Sequence, residues 1–136
     1  MAGAVKGNKQ RVLLVEDDEA ISSLMQMVLG EMGLFVDVAA NGPTALELAE
    51  RNRPALVVLD LGLPEMYGKT VAAHLRQLHQ NLPVMVVSAL SASAVAKDAW
   101  EIGAFTYMTK PFELEAFTAA VRRGLDLGRH GRMRPN

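Results

Sequence analysis

Short, largely apolar runs alternate with longer amphipathic stretches along the whole chain. The runs are Val12–Val15, Leu34–Ala39, Leu56–Leu59, Val84–Val87 and Phe105–Met108. Several are β-branched, and their length suits strands buried on both faces of a parallel sheet. Between them the apolar positions take helical spacing. Ile21, Leu24, Met25, Val28 and Leu29 fall at i, i+3, i+4, i+7 and i+8, a single stripe that Gly30 or Gly33 can end. Asn41-Gly42-Pro43 opens a second helix, with Pro43 suited to the first helical position and Ala45, Leu48 and Ala49 on the inner face. Val71, Leu75 and Leu78 mark a third helix, and Val95, Ala99 and Ile102 a fourth. Leu114, Phe117, Thr118, Val121 and Leu125 mark a fifth. Strand then helix, five times over with short connections and no repeat, predicts a three-layer α/β sandwich with right-handed crossovers. One domain is expected over residues 10–128, with 129–136 a basic tail or the start of a linker.

Composition narrows the class. The 136 residues suffice for one domain, and 50% hydrophobic with 21% charged residues excludes a disordered chain. The absence of cysteine removes disulfides, thiolate metal sites and cysteine nucleophiles. No apolar run approaches the roughly 20 residues that span a bilayer, and the amino end lacks the apolar core of a signal peptide. The expectation is a soluble, cytoplasmic protein that makes no membrane contact. The net charge of −1 conceals an asymmetry. Residues 122–136 carry five basic groups (Arg122, Arg123, Arg129, Arg132, Arg134) against Asp126, leaving nine basic and 14 acidic groups elsewhere. An acidic body lacks the basic face of a nucleic-acid-binding domain, so no direct nucleic-acid contact is expected.

In an open parallel sheet, ligands bind beyond the carboxyl ends of the strands, so the first residues after each run carry the chemistry. Glu16, Asp17, Asp18 and Glu19 follow the first strand, Asp60 the third, Ser88 ends the fourth, and Lys110-Pro111 follows the fifth. Clustered carboxylates repel until a proton, a lysine or a cation intervenes. Hard oxygen donors without histidine or thiolate favour Mg²⁺. A carboxylate beside such a cation can attack a phosphoryl group and form an aspartyl phosphate. Lys110 and the Ser88 hydroxyl are placed to neutralise the equatorial oxygens.

Four segments carry a specific resemblance: VLLVEDDE (12–19), ALVVLDLGLPEMYG (55–68), PVMVVSA (83–89) and GAFTYMTKPF (103–112). In this order, with 43 residues from Asp17 to Asp60, 28 on to Ser88 and 22 on to Lys110, they resemble the receiver domain of two-component response regulators over about Arg11 to Leu127. The resemblance implies a flavodoxin-like (βα)5 fold with sheet order 2-1-3-4-5. It makes Asp60 the phosphoacceptor, with Mg²⁺ (or Mn²⁺) bound by Asp17, Asp60 and the Gly62 backbone carbonyl, and by Glu16 through a water. Ser88, Lys110 and the Ala89 amide would contact the phosphoryl group. Lys110-Pro111 matches the family's cis peptide, and Tyr107 the aromatic whose rotamer follows phosphorylation. Such a domain is no enzyme beyond catalysing its own phosphorylation and dephosphorylation. Its partners would be a sensor histidine kinase or histidine phosphotransfer protein, and a downstream target or an output domain outside this chain. A homodimer through the face of the fourth helix, fifth strand and fifth helix is also expected.

Some residues depart from the family pattern or compete with it. Gly62 and Leu90 offer no acid or amide to position a hydrolytic water, which predicts slow self-dephosphorylation. Ala104-Phe105-Thr106 replaces an acidic pair before the fifth strand, leaving Phe105 either exposed or packed beneath the fourth helix. Trp100 either anchors a partner or is partly buried against its own helix pair. His74, His79 and His130 have no metal or triad spacing and read as solvated surface. Gly68-Lys69-Thr70 ends like a phosphate loop, but Leu63 stands where that loop needs glycine. An FMN-binding flavodoxin would place a phosphate loop where Glu16–Glu19 would repel it. A phosphatase using a nucleophilic aspartate needs a second acid at position 62. The remaining rival is a receiver that is never phosphorylated and serves as a constitutive protein-binding module.

Overall fold

The computed structural model describes residues 9–63 and 66–129, so the expected basic tail at 129–136 lies outside the described residues except for Arg129, which ends the last helix. Five strands and five helices alternate: β1 (Arg11–Val15), α1 (Glu19–Glu31), β2 (Phe35–Ala39), α2 (Gly42–Arg51), β3 (Leu56–Leu59), α3 (Gly68–Leu78), β4 (Val84–Ser88), α4 (Ala92–Ile102), β5 (Thr106–Thr109) and α5 (Leu114–Arg129). All strand pairs are parallel, and the order is β2-β1-β3-β4-β5. The flavodoxin-like sandwich expected from the sequence is the observed fold.

Successive strand residues face opposite sides of the sheet, so the inner strands must be apolar at every position. Leu13, Val15, Val57, Leu59, Val84 and Val86 join the core under α2, α3 and α4. Val12, Leu14, Leu56, Val58, Met85 and Val87 face α1 and α5, where Met25, Leu29, Phe117 and Val121 complete a second core. The edge strand β2 is only half covered. Its exposed Phe35 lies beneath Lys9 and Arg11, and Arg11 pairs with Asp37 at 3.0 Å.

Helix boundaries follow the local chemistry. The Asp18 carboxylate caps α1 by accepting from the Ile21 amide at 3.0 Å, and Asn41 caps α2 through Thr44 at 2.9 Å. Gly33 follows α1 at φ +82°, the left-handed turn that favours glycine. Three leucines of the apolar stripes, Leu24, Leu78 and Leu114, are exposed, while Ser22, Ala72 and Ala120 are buried in their helices.

Three surface expectations need correction or resolution. His79 is half-buried where α3 ends: its Nδ1 accepts from Arg53 at 3.0 Å and its Nε2–H donates to the Ala49 carbonyl at 2.9 Å. A guanidinium can only donate, which fixes that tautomer, so His79 ties α3 to α2 and is no solvated side chain. Phe105 packs into the α5 core, against the position of Gly124 and under the Arg123 guanidinium, and not beneath α4. Trp100 is 85% exposed.

Candidate functional site

The backbone ladder continues past the strand ends and fixes the residues that follow. The Glu16 amide donates to the Ala39 carbonyl at 3.0 Å and the Asp60 amide to Val15 at 3.0 Å. The Lys110 amide donates to Ser88 at 2.8 Å. Each of these side chains therefore starts from a backbone held by the neighbouring strand, and all emerge at the carboxyl edge of the sheet.

There the side chains converge. Carboxylate oxygens of Glu16, Asp17 and Asp60 lie within 4.8 Å of one another. Glu16 is 2% exposed and Asp60 7%, whereas Asp17 is open to solvent. The Lys110 ammonium reaches between the two buried acids, 2.9 Å from Glu16 and 3.2 Å from Asp60. The other Asp60 oxygen accepts from the Gly62 amide at 3.0 Å. The Asp18 amide also donates to Glu16, at 3.1 Å. The acidic run thus divides its labour, with Glu16 and Asp17 in the crevice and Asp18 spent on the helix cap.

The electrostatics are those of an under-neutralised acidic site. Burial pushes the Glu16 carboxyl above its ordinary range, and the charge on Asp60 adds to this, although the Lys110 hydrogen bond opposes it. Burial alone would lower the Lys110 ammonium, but the Glu16 hydrogen bond and the Asp60 charge outweigh it and hold the lysine charged. Three carboxylates face one ammonium. Clustered oxygen donors with excess negative charge and no nitrogen or sulfur ligand fit a hard divalent cation.

Ser88 closes β4 in a buried position, and its hydroxyl accepts from the Leu90 amide at 3.2 Å within its own turn. Ala89 follows it in an exposed bend. Tyr107 is exposed on the edge strand β5, and the Lys110–Pro111 peptide is cis. Glu16, Asp17, Asp60, Gly62 and Lys110 thus form one cluster, while Ser88 and Tyr107 stand on adjoining elements with their side chains engaged elsewhere or open to solvent. Sequence reasoning missed Gly68. A Cβ there would fall 2.7 Å from the Leu61 Cα and 3.1 Å from the Asp60 carbonyl, so the start of α3 rests directly on the acceptor loop. A glycine opening an amphipathic stretch eight residues after Asp60 was the available signal.

A 2-1-3-4-5 parallel sheet with an acidic, lysine-bridged crevice at its carboxyl edge defines the class, a flavodoxin-like signalling domain. The family model for the response regulator receiver domain matches residues 12–122, and the chain belongs to that family. It is 30% identical to sporulation initiation phosphotransferase F of Bacillus subtilis, over 87% of this chain and 95% of that protein. It is 36% identical to the response regulator MprA of a Mycobacterium species over 82% of this chain, but it spans only 49% of that relative's length. A putative response regulator from Chloroflexus aurantiacus superposes with a TM-score of 0.81 at 31% identity, covering 88% of this chain and 99% of that one. The chain is a receiver domain of two-component signalling. No helix among the described residues is long and apolar enough to cross a membrane.

Proposed function

We propose that Asp60 accepts a phosphoryl group from a phosphohistidine on a sensor histidine kinase or histidine phosphotransfer protein. The observation that carries this reading is the state of the Asp60 carboxylate: buried, with one oxygen on the Gly62 amide and the other on Lys110, beside two further acids. In the transfer, an Asp60 oxygen forms the new bond to phosphorus as the phosphorus–nitrogen bond breaks, and the imidazole nitrogen keeps the electron pair. Asp17, Asp60, the Gly62 carbonyl and, through water, Glu16 would hold Mg²⁺ or Mn²⁺, which would supply charge neutralisation at the phosphoryl oxygens. Lys110 does the same from its position between Glu16 and Asp60, and the Ala89 amide adds a donor.

The output follows from charge. Phosphorylation adds about −1.5 to −2 charges at Asp60. To donate to a phosphoryl oxygen, the Ser88 hydroxyl turns away from the Leu90 amide, which frees the turn before α4 and opens space for Tyr107. The α4–β5–α5 face then changes shape for a downstream protein, an output domain or a second copy of this chain. The domain extends over residues 10–128, works in the cytoplasm, and catalyses nothing beyond its own phosphorylation and dephosphorylation. Intact-mass measurement after incubation with acetyl phosphate and Mg²⁺ tests this reading. The wild-type protein gains one phosphoryl mass, while Asp60→Ala and chelator-treated samples gain none. No gain in the wild type would favour a constitutive binding module.

A further inference from the structure

The polar contacts between α3 and α4 are concentrated at one end of α4, where that helix is electrostatically weakest. Its last turn carries no base, yet Asp98 and Glu101 sit near its negative pole, the unfavourable arrangement for a helix dipole. The missing cations come from α3. Lys69 lies 2.8 Å from Glu101 and 3.5 Å from Asp98, with Lys97 at 3.9 Å on the other Glu101 oxygen. Arg76 donates to the carbonyl of Gly103, the left-handed cap of α4, at 3.0 Å. The Glu101 hydrogen bond holds the Lys69 ammonium above its ordinary value, and Lys69 holds the Glu101 carboxyl below its own.

Both ends of this arrangement lead back to Asp60. Lys69 follows Gly68, whose amide donates to the Leu61 carbonyl at 3.2 Å and which leaves no room for a Cβ against the acceptor loop. At the far end of α4, the N-cap Ser91 comes directly after Leu90, whose amide is bonded to the Ser88 hydroxyl. A change at Ser88 therefore reaches the first turn of α4 while Lys69 and Arg76 pin its last.

We propose that Lys69 and Arg76 clamp the C-terminal turn of α4 and oppose its displacement when Asp60 is occupied, so that the α3–α4 ion pairs set how readily the receiver switches. This rests on the receiver reading above. By reciprocity, a contact that favours the unoccupied arrangement weakens binding at Asp60 by the same factor. Exposed ion pairs are individually weak, so the expected effect is modest.

The test is calorimetric affinity for beryllofluoride with Mg²⁺, a stable mimic of the phosphoryl group. The exposed Trp100, the sole tryptophan and next to Glu101, gives an independent fluorescence signal from α4. Lys69→Met and Glu101→Gln each tighten binding by about two- to five-fold. High salt shrinks the difference between wild type and Lys69→Met, because screening weakens ion pairs that only the wild type has. Unchanged or weaker binding by a folded Lys69→Met protein, with the wild type binding normally, overturns the clamp alone. Failure of the wild type to bind overturns the receiver reading and the clamp with it.

Discussion

Gly68→Ala pits helix propensity against packing at the point where α3 meets the acceptor loop. Alanine is favoured over glycine by about 1 kcal/mol inside a helix, and part of that gain comes from a less flexible unfolded chain. Against it, the added Cβ would lie 2.7 Å from the Leu61 Cα, 2.9 Å from the Leu61 Cδ2 and 3.1 Å from the Asp60 carbonyl oxygen. Two of these three neighbours are backbone atoms and cannot rotate away, so α3 or the loop must shift. Overpacking of this kind costs about 1–3 kcal/mol. The balance predicts a net loss of up to about 2 kcal/mol, together with weaker Mg²⁺ binding as Asp60 is displaced. Gly30→Ala in α1 is the control, because a Cβ there meets nothing within 4 Å. It should gain up to about 1 kcal/mol with the site unchanged. Urea unfolding of the three proteins, each with and without Mg²⁺, makes the comparison. A Gly68→Ala protein as stable as Gly30→Ala, with unaltered Mg²⁺ affinity, would refute the claim that α3 is seated on the acceptor loop.

The remaining predictions concern charge and lifetime. Lys110→Met leaves Glu16 and Asp60 buried without their shared ammonium, so metal-free stability should fall by about 3 kcal/mol and recover in part on adding Mg²⁺; urea unfolding equal to wild type would contradict this. Glu101 is depressed in the fold by Lys69, so its pairing stabilises the protein above the unfolded carboxyl range and is lost as pH falls through the folded value. Wild type and Lys69→Met should therefore differ in unfolding midpoint at neutral pH and converge in acid; a difference that grows in acid would reverse the sign. Once phosphorylated, the wild type should lose its phosphoryl group slowly, since Gly62 has no side chain and Leu90 is apolar, so neither positions a hydrolytic water. Leu90→Glu should shorten the lifetime in a mass-spectrometric time course, and a longer lifetime would count against water positioning as the limit.

The parts of the molecule written in local pattern were legible before any coordinates. Inner strands buried on both faces must be apolar throughout, so β1, β3 and β4 announced themselves, and the first polar residue after each marked the crevice. What the sequence left hidden depends on distance in space. Asp18 and Asp17 are neighbouring acids of one type, and only the path of the chain into α1 sends one to the cap and leaves the other at the crevice. His79 looked like surface because its partners, Arg53 and Ala49, lie 26 and 30 residues away. Lys69 had no partner in its own helix, and its acids on α4 come within reach only when α3 and α4 pack side by side. Phe105 precedes its strand, so strand alternation alone could not say which core it would join.

The central claim is that the Asp60 oxygen forms the bond to phosphorus, and chemical trapping tests it most directly. Borohydride reduces an acyl phosphate to an alcohol, so an aspartyl phosphate becomes homoserine at the modified position. After phosphorylation with Mg²⁺ and acetyl phosphate, reduction and peptide sequencing by mass spectrometry should find homoserine at position 60 and aspartate intact at positions 17 and 18. Homoserine at either of those positions, or stable phosphate on Ser88 with Asp60 unchanged, would contradict the account.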